Sequence, residues 1–379
     1  MVAPQLSQLW QLTRSIPLCR VPDLNLTDDT MIINTELTAT DLLPAIDRMW
    51  DVSGRKILSI EESYSTKTQT PVFTIDGQYQ PQGWTEWTQG FQFGSAILQF
   101  DATGDEQFLE IGRGNTVRRM APHVSHIGVH DHGFNNVSTY GNLRRLMLEG
   151  RFPEQAAERD YYELALKVSG AIQASRWSTT ADGHGYVYSF NGPHSLFCDT
   201  IRSMRSLSLA HQLGHSLMGE NDESFCLLDR MIQHSRSTAK YNVFYGEGRD
   251  TYDVRGRVAH ESIFNRNDGR FRCPSTQQGY SPFSTWTRGL SWIIAGYPEQ
   301  LEFLQTVPDD QLDDRAEIEG MMLKAAAPIV GQAGKLLGVL YGGNLINRDY
   351  YIVDRIKEIV FKEYFLVSSP VKGEKKSTQ

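Results

Sequence analysis

The apolar residues between about residue 40 and residue 305 recur mostly at intervals of three or four, which is the period of an α-helix. In "PEQAAERDYYELALKVSGAIQASRW" this spacing places small and apolar side chains on one face, namely Ala157, Tyr161, Leu164, Val168, Ala171 and Ser175. Two later segments repeat the pattern, the first with Leu209, Leu213 and Leu217, and the second with Phe225, Leu228 and Ile232. The sequence therefore predicts a series of amphipathic helices with little strand.

The links between these segments share a chemistry. "FDATGDEQFLEIG" and "SLMGENDESFCLL" each contain a glycine, Gly104 or Gly219, where a helix could end in a left-handed residue. Each glycine precedes a residue able to cap the next helix, Asp105 in the first link and Asn221 or Asp222 in the second. Such links favour an all-α ring or stack of antiparallel helix pairs over a βαβ protein. The non-periodic stretches 178–198 and 240–288 are then the loops that build a site.

After about residue 316 the pattern changes. "APIVGQAGKLLGVLYGGNLIN" groups β-forming residues around a glycine-rich turn. "RDYYIVDRIKEIVFKEYF" then predicts an amphipathic helix, with Ile352, Ile356, Ile359 and Val360 on one face. The sequence predicts a short α+β segment here, which does not continue the helix pairs.

Composition excludes several classes of function. The net charge of −8 disfavours nonspecific binding to nucleic acid or to anionic membranes. No run of about 18 apolar residues occurs, so no membrane span is expected. The four widely spaced cysteines form no CxxC pair and are expected to be reduced. Because the first twenty residues also lack an export-signal pattern, we expect a cytoplasmic protein.

A histidine-rich patch, "HVSHIGVHDHGF", contains His123, His126, His130, Asp131 and His132. Imidazole and carboxylate groups are metal ligands, but this spacing matches no closed ligand set, and three consecutive residues cannot easily face one ion. His211 and His215 stand four residues apart but lack the glutamate of a HExxH site. The sequence favours no metal at either place.

Asp131 and Asp199 each stand directly before a predicted helix. The simplest interpretation is that each caps its helix through a side-chain oxygen. Both also follow loops rich in His, Phe and Asn, where a carboxyl held against aromatic rings could have the raised pKa that a general acid needs. For Asp131 both roles remain open.

The stretch "TQQGYSPFSTWTRGLSW" combines amides, tryptophans, an arginine and hydroxyls with little apolar periodicity. Aromatic faces pack on the apolar side of a sugar, while Gln278 and Arg288 could bind hydroxyls or a carboxylate. This composition is typical of a sugar-binding loop, although a packed loop remains an alternative.

These stretches, with "GWTEWTQGFQFGSAILQFDATGDEQFL" near residue 83, resemble glycoside hydrolase family 88, the unsaturated glucuronyl hydrolases. The shared pattern is W-x-x-GF-x-x-G, HD-x-GF, a second aspartate that opens a helix, H-x-x-x-F and QGY-x-x-x-S-x-W-x-RG-x-x-W. It covers roughly residues 40–314. The resemblance implies an (α/α)6 barrel, or six-hairpin toroid.

The resemblance also implies a mechanism and a set of residues. Asp199 matches the general acid and base, and Asp131 matches the second essential carboxylate. The matching substrate-binding positions are Trp87, His130, His260, Gln278, Arg288 and Trp292. The implied reaction is hydration of the C4=C5 double bond of a Δ4,5-unsaturated uronic acid at the non-reducing end of a lyase-generated oligosaccharide. The resemblance implies neither a cofactor nor a metal.

The chain departs from the family pattern near the site. "RGLSW" places Leu290 and Ser291 where better-known members have Gln and Ala, so we expect an altered wall beside Arg288. His132, between Asp131 and Gly133, is a further departure and is expected to perturb the nearby carboxylate.

The tail is the largest departure, because from about Glu319 it resembles part of a Cache-type sensor domain rather than further helix pairs. We therefore predict an incomplete barrel over 1–316, a Cache-like fragment over 317–370 and a disordered tail over 371–379. An apolar seam and unpaired sheet edges would follow, with low stability or aggregation. A catalytically impaired carbohydrate-binding protein is the main alternative to a hydrolase, and a sensory fusion is the weaker one.

Overall fold

The computed structural model describes residues 39–65, 67, 69–83, 87–326, 329–330 and 336–338, and most of these are helical. The α-helices are α1 (Ala39–Tyr64), α2 (Thr88–Thr103), α3 (Glu106–Arg119), α4 (Ala121–Val124), α5 (His132–Asn135), α6 (Asn142–Leu148), α7 (Ala156–Ser175), α8 (Thr200–Ser203), α9 (Arg205–Gln212), α10 (Leu227–Tyr241), α11 (Thr287–Leu304) and α12 (Arg315–Ala326). A π-helical turn over Val137–Gly141 joins α5 to α6.

The strands are short and, within the described residues, pair only in antiparallel fashion. They are β1 (Thr70–Ile75), β2 (Gln78–Gln82), β3 (Trp177–Thr179), β4 (Gly185–Val187), β5 (Ser195–Phe197), β6 (Leu217–Met218), β7 (Ser224–Phe225), β8 (Glu261–Phe264), β9 (Phe271–Ser275), β10 (Ile329–Val330) and β11 (Leu336–Gly338). The predicted loops 178–198 and 240–288 therefore carry strands, and β5, β8 and β9 form one sheet.

The first predicted helix link is confirmed. Gly104 ends α2 in the left-handed region, with φ of 73°, and its N–H donates to the carbonyl of Phe100 at 2.7 Å. The side chain of Asp105 then accepts a hydrogen bond from the N–H of Gln107 at 3.0 Å. This cap starts α3, which packs antiparallel to α2 as a helix hairpin.

The second predicted link is wrong in detail. Gly219 has an extended backbone, and the left-handed residue that follows α9 is Gly214, with φ of 73°. A small hairpin of β6 and β7 then reverses the chain. Asn221 and Asp222 form its turn at φ of 55° and 61° instead of capping α10. Asparagine and aspartate tolerate the left-handed region of the backbone, so this turn forms without a glycine.

The helix predicted over 153–177 is present as α7, but the face assigned to its core side is wrong. Leu164 is 60% exposed, whereas the buried residues include Ser169, Gly170 and Gln173. α7 packs against α9 so closely that a Cβ on Gly170 would lie 2.4 Å from the Cβ of Ala210. The buried face is therefore apolar in the first part of the helix, and from Ser169 onward it is small or polar, because close helix packing and hydrogen bonding determine it there.

Four helices, α2, α5, α8 and α11, pack in sequence, each against the next. Their approach is close enough to require glycine. A Cβ on Gly133 of α5 would lie 2.4 Å from the Cα of Ser203, and one on Gly90 of α2 would lie 2.3 Å from the Cα of Asn135. Contacts this short exclude any side chain. The glycines of the sequence motifs thus allow these helices to lie close together.

The last described helix, α12, packs against α10 and α11, and Ile318 and Met322 lie in the main hydrophobic core. The predicted boundary at 316/317 falls inside this helix. Of the predicted Cache-like fragment, only the pair β10 and β11 is described beyond residue 326. The predicted amphipathic helix and the tail 371–379 lie outside the described residues.

The predictions for membrane spans and for cysteines can be compared with the described residues only. None of their helices is both long enough and apolar enough to cross a membrane. Cys198, Cys226 and Cys273, the three cysteines in these ranges, form no disulfide.

Candidate active site

A cleft of about 320 Å³ lies at the N-terminal ends of α2, α5, α8 and α11. Seven of the eight residues predicted for the site line it: Trp87, His130, Asp131, Asp199, Gln278, Arg288 and Trp292. Val129, Phe134 and Phe190 complete the lining. The loops predicted to build a site contribute Phe190 and Gln278. The fold thus gathers residues from five separate parts of the sequence.

Asp131 and Asp199 occupy the N-cap positions of α5 and α8, as predicted, but neither side chain makes a capping hydrogen bond. Both are largely buried, at 9% exposure, and both line the cleft. The interpretation of either residue as a helix cap is therefore wrong. Their carboxylates are directed to the cleft and to its histidine.

His130 lies between the two carboxylates. Its Nε2 is 3.3 Å from Oδ1 of Asp199 and 3.9 Å from Oδ1 of Asp131. The backbone N–H of Phe190 donates to the other ring nitrogen, Nδ1, at 3.3 Å. Because Nδ1 accepts this bond, the neutral ring carries its hydrogen on Nε2, and that hydrogen is directed at Asp199.

The two groups shift each other's pKa in opposite directions. Burial alone would lower the pKa of His130, but the charge of Asp131 and the hydrogen bond to Asp199 raise it. Burial alone would raise the pKa of Asp199, but the hydrogen bond from His130 and the nearby cations lower it. The raised pKa predicted for this carboxyl is therefore wrong for the protein alone, because the sequence did not reveal that Asp199 bonds a histidine.

Arg288, in the first turn of α11, supplies a cation at the rim of the cleft. Its Nη2 donates to Oε1 of Gln278. The guanidinium also lies over two aromatic rings, 5.0 Å from the centroid of Trp286 and 5.7 Å from that of Trp87. These contacts hold the planar group in place, where it can bind a carboxylate through two N–H groups.

Aromatic side chains form much of the cleft wall. Phe134 lies 5.0 Å from Trp292 and 6.0 Å from Trp87, measured between ring centroids. Phe190 stacks on the ring of His130 at 5.8 Å. Sequence reasoning missed Phe134 and Phe190 as site residues, although Phe134 is the aromatic residue of "HDHGF" and could have been found from that motif.

His260, the eighth predicted residue, lies behind the cleft wall and does not line it. Its ring packs 4.3 Å from both Phe197 and Trp286, and only 1% of it is exposed. Nδ1 accepts a hydrogen bond from the N–H of Gln277 at 3.0 Å. His260 thus supports the segment that carries Gln278, and burial lowers its pKa.

The departures from the family pattern have a different effect from the one expected. His132 is buried, and its Nε2 hydrogen-bonds the carbonyl of His126 at 3.0 Å, while Nδ1 lies 3.0 Å from the hydroxyl of Ser169. Burial lowers its pKa to about 4, so it adds no charge beside Asp131 near neutral pH. Leu290 packs against the core and Ser291 bonds the carbonyl of Thr287, and neither lines the cleft.

The histidines do not form a metal site. In the part of the chain that the structure describes, no three His, Cys, Asp or Glu side chains are arranged to hold an ion. His123 instead contacts the amide of Gln89 at 2.7 Å, within the core. His215 lies beyond the end of α9, so it does not share a helical face with His211.

Comparisons with known proteins identify relatives of one kind. The chain is 26% identical over 212 residues to an unsaturated glucuronyl hydrolase of Formosa agariphila, covering 56% of this chain and 47% of the relative. It is 23% identical over 265 residues to an unsaturated chondroitin disaccharide hydrolase of Streptococcus pyogenes, covering 69% and 59%. The chain thus spans about half the length of these curated relatives. No protein-family profile matches it.

Solved structures show the same fold. An unsaturated glucuronyl hydrolase from Streptococcus agalactiae superposes with a TM-score of 0.55 at 18% identity, covering 79% of this chain and 69% of that one. The (α/α)6 fold predicted from the sequence is thereby confirmed. The resemblance drawn from the motifs is confirmed as well: over part of its length, this chain is similar to the unsaturated glucuronyl hydrolases of glycoside hydrolase family 88.

Proposed function

We propose that this protein removes a Δ4,5-unsaturated uronic acid from the non-reducing end of lyase-generated oligosaccharides, by hydration of the C4=C5 bond. One observation carries the proposal. A carboxyl hydrogen-bonded to a buried histidine, Asp199 with His130, faces the same cleft as an exposed arginine, Arg288. The names of the curated relatives support the same class of substrate.

Substrate binding follows from the rim and walls of the cleft. The uronate carboxylate pairs with Arg288, which Gln278 and two tryptophan rings already hold in place. The sugar ring packs against Trp87, Phe134 and Trp292, whose faces are apolar. Binding therefore brings a negative charge beside Asp199, neutralises Arg288 and excludes water. Each of these effects raises the pKa of Asp199.

Hydration needs a proton at C4 and a water oxygen at C5. Asp199 gives its proton to C4, and the resulting carboxylate takes a proton from the water that adds at C5. The acid is thereby restored, and the hemiketal opens and releases the aglycone. Asp131, whose Oδ1 lies 3.9 Å from Nε2 of His130, orients the sugar in the cleft.

His130 and Asp199 hold the catalytic proton as a pair. The active form has a protonated Asp199 beside a neutral His130, and it contains the same number of protons as the pair of ions. The N–H of Phe190 favours this form, because a protonated Nδ1 would face another donor. The pair can therefore supply an acid even though the pKa of Asp199 is lowered in the protein alone.

The test follows the ultraviolet absorbance of the conjugated enol ether in a panel of lyase-generated unsaturated disaccharides. Wild-type protein should reduce the absorbance, and Asp199→Asn should lower the rate at least about 100-fold because no acid remains. Asp229→Asn, at an exposed position on α10, is the matched control and should keep full activity.

Sugar binding separates this proposal from that of an impaired carbohydrate-binding protein. Asp199→Asn should retain disaccharide affinity while turnover is lost. If the wild type binds the disaccharides but consumes none of them, the hydrolase proposal is wrong and the binding protein is favoured.

A further inference from the structure

Backbone and side-chain hydrogen bonds fix the base of the loop that contacts His130, and the side chain of Asn191 ties its tip to the rim of the cleft. Phe190 supplies both the N–H that reaches Nδ1 and the ring that stacks on the imidazole. The next residue, Asn191, is half-buried and uses every polar group of its side chain. Its Nδ2 donates to Oε1 of Glu261 at 2.9 Å, and its Oδ1 accepts from Nε2 of Gln277 at 2.8 Å.

The partners of Asn191 lie on separate elements. Glu261 begins β8, is 3% exposed and also accepts from the hydroxyl of Ser195 on β5. Gln277 follows β9, and its backbone N–H donates to Nδ1 of His260. The residue after it, Gln278, bonds Arg288 at the rim of the cleft. The side chain of Asn191 thus joins the loop beside His130 to the segment that binds the arginine.

We propose that Asn191 is a positioning residue, which keeps the N–H of Phe190 on His130 and so favours the form of the pair in which Asp199 carries the shared proton. The proposal rests on the hydrolase function proposed above. Without Asn191, Glu261 and Gln277 no longer fix the loop, and the N–H of Phe190 is free to leave Nδ1. Nδ1 can then take a proton, the histidine becomes an imidazolium, and Asp199 is left ionised and unable to act as an acid.

The charges around His130 determine the direction of this effect. Asp131 and Asp199 favour the imidazolium, whereas Arg176 opposes it. His234 and His260 also lie close enough to interact with the charge of His130. The hydrogen bond at Nδ1 comes from the backbone N–H of Phe190. Loss of this donor should therefore raise the pKa of His130, because a protonated Nδ1 would no longer face another N–H.

Asn191→Ala should lower the plateau of kcat/KM by up to about 100-fold, as small misplacements of catalytic groups do. The basic limb of the pH profile should move to higher pH, because the imidazolium persists longer. A purely structural role would lower activity or Tm without moving this limb. Asn267→Ala, at an exposed turn between β8 and β9, is the matched control and should change neither.

Nitrogen NMR of the histidine rings tests the inference without relying on turnover. The His130 signal is assigned by its disappearance in His130→Gln. At one and the same pH, Asn191→Ala should shift the ring of His130 further toward the imidazolium than in the wild type. An unchanged ring signal and an unchanged basic limb would overturn the proposal, whatever happens to activity.

Two further results keep the outcomes distinct. Gln277→Ala removes an exposed partner and leaves the bond to Glu261, so it should shift the ring signal in the same direction by a smaller amount. If Asn191→Ala does not fold, Gln277→Ala decides the question. An unchanged ring signal in Gln277→Ala would then overturn the inference. Absence of turnover in the wild type would count against the hydrolase function, while the ring signal would still report on Asn191.

Discussion

The floor of the cleft and the N-terminal half of α1 are built in opposite ways. At the cleft, His130, Asp131 and Asp199 are polar and at least nine-tenths buried, and the helices that carry them approach within glycine contact. On α1, Leu42 and Met49 are apolar and are 42% and 51% exposed. Polar groups are thus buried at the cleft, and apolar groups are exposed where the described residues provide no cover.

This difference teaches which contacts hold the site together. α1 packs mainly through its C-terminal half, where Ile57 and Tyr64 are buried. Near the middle of the helix, the carbonyl of Trp50 accepts a hydrogen bond from Nε2 of Gln99 at 3.0 Å. None of the cleft residues lies on α1. The geometry of the cleft therefore depends on the approach of α2, α5, α8 and α11, and the outer face of α1 should matter little to it.

Gly133→Ala should give the largest effect, because it forces apart the two helices that carry the aspartates. The new Cβ would lie 2.4 Å from the Cα of Ser203, a backbone atom that cannot move alone. We expect a loss of about 3 kcal/mol in the free energy of unfolding and a loss of activity with it. Urea denaturation followed by circular dichroism measures the first, and the absorbance assay measures the second.

The matched control is Gly320→Ala in α12. No atom lies within 4 Å of its Cβ position, so the substitution should stabilise the helix by up to about 1 kcal/mol. Equal costs at the two glycines would contradict the idea that close helix packing builds the cleft.

The sequence allowed much of this region to be predicted. Helical spacing indicated the helices, and the order of the motifs indicated seven of the residues that line the cleft. The link at Gly104 and Asp105 was predictable because both its helix end and its cap are local in the chain. Helix ends and caps that depend on residues adjacent in sequence can therefore be predicted from local sequence patterns.

The errors have a common physical cause. The pKa of Asp199 depends on His130, which lies 69 residues away in the sequence. On α7, Ser169 and Gln173 are buried because they hydrogen-bond the histidine-rich segment. Apolar periodicity does not identify polar residues as buried. Phe190 acts partly through its backbone N–H, which every residue except proline possesses. Polar contacts between residues far apart in the chain leave no periodic pattern in the sequence.

The pH dependence of kcat/KM sharpens the comparison, because the titrating pair lies only in the cleft. Activity needs one proton on the pair of His130 and Asp199. It should fall as pH rises through the pKa of His130, which lies above the ordinary 6.5, and as pH falls through that of Asp199, which lies below the ordinary 3.8. Each limb should change the rate about tenfold per pH unit, equivalent to about 1.4 kcal/mol.

A profile recorded by stopped-flow absorbance over the range in which circular dichroism is constant measures the basic limb. A basic limb below 6.5 would contradict the raised pKa of His130. Asp199→Glu keeps a titratable carboxyl and should retain a two-limbed profile at lower rate, which serves as the control for the assignment of the pair.

Charging the exposed face of α1 should give the smallest effect. Leu42→Lys combined with Met49→Lys changes two residues on one helical face, and it should alter the free energy of unfolding by less than about 0.5 kcal/mol, since neither side chain is buried. It should reduce self-association in sedimentation velocity, because an apolar patch is lost. Ile57→Lys, on the same helix but 7% exposed, is the control and should cost several times more. If the double variant costs as much as Ile57→Lys, the outer face of α1 is covered in solution, and the contrast between the two regions does not hold.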